Sequence, residues 1–121
     1  MSSAFDPSMT AIVVVTYNRS TLLSRLLGSI ERMDPKPGRV VIVDNASADD
    51  TGDVVESFRD RIGTELVYRR LEENTGGSGG FSEGVRTAYE LGSEWLWLMD
   101  DDVEVLPEGL ARMGALSLIH I

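Results

Sequence analysis

Trp95-Leu96-Trp97-Leu98-Met99-Asp100-Asp101-Asp102-Val103 sets five apolar residues directly against three consecutive carboxylates. The apolar run reads as a buried strand that empties into an acidic cluster at its C-terminal end. Adjacent acids repel one another and gain nothing from packing, so either a divalent cation or a solvated turn into the next helix accounts for them. Hard oxygen donors suit Mg²⁺ or Mn²⁺, which take one or two protein carboxylates and complete their shell with water and phosphate oxygens. Side chains alternate along an extended chain, so Asp100 and Asp102 are expected to face one site and Asp101 to face away. Asp100 and Asp102 are therefore the expected metal pair.

The same pattern recurs upstream. Ala11-Ile12-Val13-Val14-Val15 is a β-branched run too short for a helix, and it ends in Thr16-Tyr17-Asn18-Arg19. Val40-Val41-Ile42-Val43 ends equally abruptly in Asp44-Asn45-Ala46-Ser47-Ala48-Asp49-Asp50. Glu65 to Arg69 makes a third, more amphipathic strand nearer an edge, followed by Asn74-Thr75-Gly76-Gly77-Ser78-Gly79-Gly80.

Helical spacing separates these runs. Leu22, Leu23, Leu26, Leu27, Ile30 and Met33 share one face of a helix that Ser20 or Thr21 is placed to cap and that Pro35 and Pro37 stop. Thr51 opens a second helix with Val54, Val55, Phe58 and Ile62, and Asp53 lies in its first turn, where a negative charge suits the dipole. Phe81, Val85, Ala88, Tyr89 and Leu91 mark a third, and a last helix is expected from near Pro107 through Leu110 and Met113. The alternation predicts an α/β fold, a mainly parallel sheet of about four strands with helices on both faces. Parallel strands bring all the polar clusters to one edge, where open α/β sheets bind their ligands.

Composition narrows the function classes. A chain of 121 residues is at most one domain and long enough for a real core. Its net charge of -9 argues against nucleic-acid partners and anionic membranes. No cysteine is present for disulfides or thiolate metal sites. Residues 1–10 are expected to be loosely ordered; they show no signal peptide, no apolar run reaches membrane-spanning length, and a cytoplasmic location follows.

Within the polar edge, the glycines from Gly76 to Gly80 are either a flexible turn or backbone lying close to a ligand phosphate. They form neither a phosphate-binding loop with a following Gly-Lys nor a GxGxxG dinucleotide fingerprint. Asp44 is placed to accept from an imide N–H of a pyrimidine or a ribose hydroxyl, or else to serve its own loop. Arg19 and Arg86 are candidate phosphate ligands, with ordinary solvated charge as the alternative.

Taken in order, Val13-Val14-Val15-Thr16-Tyr17-Asn18-Arg19, Val43-Asp44-Asn45-Ala46-Ser47, Asn74 to Phe81 and Trp97 to Asp102 resemble the ordered motifs of family 2 glycosyltransferases of the GT-A fold. The doubled glycines before Phe81 and the acid triplet are most similar to actinobacterial galactofuranosyltransferases, with rhamnosyltransferase-like members close behind. The resemblance implies a Rossmann-like nucleotide-sugar-binding half. It also implies inverting transfer of a sugar from a UDP-linked donor such as UDP-galactofuranose to a hydroxyl of a cell-wall or cell-surface glycan or glycolipid. By motif, Thr16, Tyr17, Asn18 and Arg19 would line the nucleotide pocket, Asp44 would hold uracil with support from Asn45, and Asn74, Gly76, Gly77, Gly79 and Gly80 would border the ribose and diphosphate. Arg86 and Asp101 are carried as further donor-binding candidates. Asp100 and Asp102 would bind Mn²⁺ or Mg²⁺, with Asp102 the expected direct ligand.

The family's catalytic base, a downstream Asp or Glu, is not assignable to Glu104 or Glu108, which sit too close to the metal motif. No catalytic residue is therefore expected in this chain, which by itself is expected to be inactive, and peripheral membrane association would depend on regions outside it. The uncapped tail Leu116-Ser117-Leu118-Ile119-His120-Ile121 can be encoded by the end of a common transposon-based sequencing adapter. A donor-binding unit over residues 11–115 and a non-native tail over 116–121 are accordingly expected, with His120 chemically inert. Two other classes are weighed: a sugar-nucleotide pyrophosphorylase, which would carry a basic glycine-rich signature after the first strand, and a noncatalytic nucleotide- or metal-binding α/β module such as a receiver-like domain, which would carry a lysine after a later strand.

Overall fold

The computed structural model describes residues 6–113 and 118–121. Strand β1 spans Thr10–Thr16, β2 Arg39–Asp44, β3 Glu65–Arg70 and β4 Trp95–Asp100; a two-residue β5, Ile119–His120, completes the sheet. Helices α1 (Ser20–Glu31), α2 (Thr51–Phe58), α3 (Gly76–Glu90) and α4 (Gly109–Met113) alternate with them. The strand order is β3-β2-β1-β4-β5. β1 to β4 are mutually parallel, as the alternation predicts, and β5 pairs antiparallel with β4 through Trp95↔His120 and Leu96↔Ile119.

Alternation along β1 divides the core. Ile12 and Val14 pack with Leu23, Leu26, Leu27 and Ile30 of α1 and Val55 and Phe58 of α2, while Ala11 and Val13 pack with Val41, Val43 and Ala88 on the α3 side. Helices thus cover both faces, and each fully buried Val, Leu or Ile contributes about 1.5–3 kcal/mol. The amphipathic β3 lies at the edge.

Pairing register aligns the strand ends. Thr16 lies opposite Asp44, Asp44 opposite Arg70, and Val15 opposite Asp100. The strand order reverses beside β1, so a crevice is expected between the carboxyl ends of β1 and β4.

Several boundaries differ from expectation. Residues 6–10, expected as loose, form a 3-10 turn over Pro7–Met9 capped by Asp6, and then the start of β1. Neither Ser20 nor Thr21 caps α1; Arg19 occupies the cap position without a side-chain bond, and the Asp49 carboxylate accepts from the Ser20 amide at 3.2 Å. Asp49 also accepts from the Thr51 amide at 3.1 Å, so one carboxylate serves the first turns of α1 and α2.

The glycine run is helix rather than loop, since α3 starts at Gly76. A Cβ on Gly84 would lie 2.3 Å from Val13 Cγ1, and one on Gly80 2.6 Å from Val15 Cγ1. Glycine there lets the helix backbone approach the sheet more closely than any side chain would allow. The last helix begins at Gly109 instead of near Pro107, and Leu106 is exposed. His120 packs against Trp95 with ring centroids 4.3 Å apart. Residues 1–5 and the expected boundary at Ala115, with Leu116 and Ser117, lie outside the described residues.

Candidate functional site

A crevice of about 360 Å³ opens where the strand order reverses, lined by Thr16, Tyr17 and Arg19 from the end of β1, Asp100, Asp101 and Asp102 from the end of β4, and Asn45, Asn74, Gly76 and Gly77 beside α3. Asp101 is its buried acid, 4% exposed. Thr16 Oγ1 donates to Asp101 Oδ2 at 2.9 Å, and the largely exposed Arg19 guanidinium reaches Oδ1 at 3.4 Å. The expectation that Asp101 faces away is thereby corrected: β4 ends at Asp100 and the chain turns at Asp101 and Asp102, so strand alternation no longer applies. Asp100 and Asp102 are both exposed and both line the crevice. Among the described residues no group of three or more His, Cys, Asp or Glu side chains converges as a metal site.

Asn45 fixes the opposite wall. Its Nδ2 donates to the Gly76 carbonyl at 3.0 Å, and its Oδ1 accepts from the Thr75 amide at 3.1 Å and the Thr75 hydroxyl at 3.0 Å. Asn74 Oδ1 accepts from the Gly76 amide at 2.8 Å. These bonds tie the start of α3 to the end of β2. Gly76, at φ 76°, takes a backbone conformation that favours glycine, and a Cβ there or on Gly77 would meet nothing within 4 Å. Gly79 and Gly80 do not line the crevice: a Cβ on Gly79 would strike Thr75, and Gly80 lies against Val15 and Asn45.

Asp44 lies at the floor of a second crevice, of about 320 Å³. It is 1% exposed, and accepts from the Ser47 amide at 2.9 Å on Oδ1 and from the Tyr68 hydroxyl on Oδ2. Asp44 therefore bonds its own loop and lines the second crevice, not the first. Asn18 likewise joins loops: at φ 50°, its amide donates to Ser47 Oγ at 2.9 Å and its Oδ1 accepts from the Ala48 amide at 2.7 Å. Arg86 is not brought to either crevice; it is exposed on α3 and paired with Glu83 and Glu90.

The second crevice is lined as well by Ser47, Asp49, Asp50, Gly52, Asp53, Tyr68 and Arg70; Ser47 closes the motif that begins at Val43 without an assigned role, and Tyr68 and Arg70 lie outside the motifs. Arg70 donates to the Ser47 carbonyl at 3.0 Å. Burial, followed by the bond to Asp44, pushes the Tyr68 hydroxyl well above its ordinary value, which keeps it a donor. The signal was strand alternation: Leu66, Tyr68 and Arg70 share one face of β3, and the register sets Arg70 opposite Asp44. A further cavity of about 640 Å³, lined by Trp97, Met99, Val103 and Leu106, runs along β4 and shares Asp100 with the first crevice.

The family model for glycosyl transferase family 2 matches residues 11–115. The chain belongs to glycosyl transferase family 2. A family relative, the galactofuranosyltransferase GlfT1 of Mycolicibacterium smegmatis, is 39% identical over 90 residues, which are 74% of this chain and 28% of that protein. The crystal structure of Staphylococcus aureus TarS 1–349 in complex with UDP superposes with a TM-score of 0.75 at 29% identity, over 85% of this chain and 30% of that one. A mannosyltransferase from Pyrobaculum calidifontis in complex with GDP-Man and Mn²⁺ gives a TM-score of 0.76 at 25% identity, over 96% of this chain and 34% of that one. The family resemblance and the GT-A fold read from the four motifs are both borne out. Among the described residues no helix of this family 2 chain is long and apolar enough to cross a membrane.

Proposed function

We propose that this chain is the donor-binding part of an enzyme that transfers a sugar from a UDP-linked donor, of the UDP-galactofuranose type, to a hydroxyl of a cell-wall or cell-surface glycan or glycolipid with inversion. The observation that carries the reading is the pair of exposed carboxylates, Asp100 and Asp102, facing the start of α3 across the β1/β4 crevice. UDP in the TarS complex and GDP-Man with Mn²⁺ in the mannosyltransferase complex support a nucleotide-sugar donor.

Thr16 and Arg19 hold Asp101, so Asp101 shapes the crevice and its two neighbours are left for ligand. Two exposed oxygen donors fit Mg²⁺ or Mn²⁺, whose remaining positions go to water and phosphate. Asp102, with Asp100, would hold the ion, and the chemistry supplied there is neutralisation of charge building on the departing diphosphate. Tyr17 and Arg19 border the nucleotide, Asn74, Gly76 and Gly77 the ribose and diphosphate, and Asp44 reads the base from the adjoining crevice. The general base that deprotonates the acceptor lies outside this chain. The proposed reaction is cytoplasmic, and association with the inner face of the plasma membrane would depend on regions outside this chain.

Calorimetric titration of the chain with UDP in the presence and absence of Mn²⁺ tests the reading. Affinity should require the ion, and Asp102→Ala should abolish the ion-dependent part. Unchanged affinity in that variant would overturn the assignment.

A further inference from the structure

Tyr68 reaches from β3 to the last residue of β2, where its hydroxyl donates to Asp44 Oδ2. The other oxygen of the same buried carboxylate takes the Ser47 amide at 2.9 Å. An ionised carboxylate offers about four lone-pair sites, so these two bonds leave capacity for a donor entering the crevice above. The loop behind Asp44 is held from both sides: Arg70 bonds the Ser47 carbonyl at 3.0 Å, and the Asn18 amide bonds the Ser47 hydroxyl at 2.9 Å. Asp44 is thus a preset acceptor, and Tyr68 is the side-chain donor that sets it. The Tyr68 ring is half-buried against the core on the α1 and α2 side, which fixes where its hydroxyl sits.

We propose that Tyr68 is a positioning residue for base selection: by holding Asp44 Oδ2 it aims the carboxylate at the imide N–H of a uracil base and so rejects cytosine. This rests on the base-reading role proposed for Asp44. Uracil presents an N–H at its ring N3, whereas cytosine presents a lone pair there, which a fixed carboxylate repels. A site built to pair one polar group discriminates strongly against an analogue that leaves the site's own group unpaired. A carboxylate freed to rotate loses that discrimination.

Tyr68→Phe keeps the ring and removes only the donor. The affinities of UDP and CDP for the whole chain, both with Mn²⁺ present, are compared by calorimetry for wild type, Tyr68→Phe and Asp44→Asn. Tyr68→Phe should weaken UDP binding about tenfold and leave CDP unchanged or bound more tightly, so that the preference for UDP falls at least tenfold, with the circular dichroism spectrum intact. A purely structural role would weaken both nucleotides by the same factor, and that result, or no change in either, overturns the proposal. If Asp44→Asn erases the preference for UDP while Tyr68→Phe keeps it, the Tyr68 role alone fails. If Asp44→Asn also leaves UDP affinity untouched, or the wild-type chain binds no UDP, the underlying reading of Asp44 fails with it.

Discussion

Thr16 Oγ1 lies 2.9 Å from Asp101 Oδ2, although 85 positions separate the two in sequence. The bond joins the ends of β1 and β4, the two strands between which the sheet reverses its order. Both residues are almost fully buried, so neither has water as an alternative partner. Thr16→Val keeps the shape and removes the donor, leaving Asp101 with Arg19 alone. It should lower stability by about 1–3 kcal/mol, measured as a reduced midpoint in urea with unchanged slope.

Two acids of the triplet, Asp101 and Asp102, should separate cleanly. Asp102 is exposed and beside like charges, so Asp102→Asn should leave the metal-free stability within about 0.5 kcal/mol of wild type. The same variant should lose the rise in melting temperature that Mn²⁺ with UDP gives the wild-type chain. Asp101→Asn should do the reverse at the first step, destabilising the chain before any ligand is added. Thermal unfolding of both variants, with and without ligand, checks the contrast.

Glycines of α3 divide in the same way. Gly84→Ala puts a methyl group 2.3 Å from Val13 Cγ1, and overpacking of this kind costs about 1–3 kcal/mol. A Cβ on Gly77 meets nothing within 4 Å, so Gly77→Ala should be neutral or stabilising by up to about 1 kcal/mol. Chemical denaturation should show a loss of stability for Gly84→Ala and none for Gly77→Ala if the helix lies on the sheet as described.

Asp49 sets an acid dependence. The Thr51 hydroxyl chiefly, with the Ser20 and Thr51 amides, holds its carboxyl below the ordinary value of 3.8, against a smaller opposing effect of burial. A folded value below the unfolded one means that the stabilisation is complete above the unfolded value and is lost as pH falls through the folded one. Wild type should therefore exceed Asp49→Ala in stability at neutral pH, and the gap should narrow once pH drops below 3.8. Urea midpoints across that range measure it.

Much of the fold was legible because β-branched runs and helical spacing are local signals. Val13 and Val14 announce a two-sided strand, and Leu23, Leu26, Leu27 and Ile30 a buried helix face, whatever surrounds them. The site was legible only as a set of polar strand ends. Which of three adjacent acids turns inward depends on Thr16, and the motifs carried no sign of that pairing. Arg86 reads from sequence as a phosphate ligand, but its partners Glu83 and Glu90 stand three and four positions away on the same helix, so the charge is answered locally. Gly80 reads as ligand-facing because a glycine serves close approach to a ligand and to a sheet equally well; only the sheet's position decides.

Amide chemical-shift mapping of the ¹⁵N-labelled chain, titrated with UDP in the presence of Mg²⁺, tests the central claim most directly. Binding in the β1/β4 crevice predicts the largest shifts at Thr16, Tyr17, Arg19, Asn45, Gly76, Gly77 and Asp100 to Asp102, with Asp44 and Ser47 following from the base. Shifts confined to the apolar groove beside Trp97 and Leu106, or no saturable shifts at all, would contradict it.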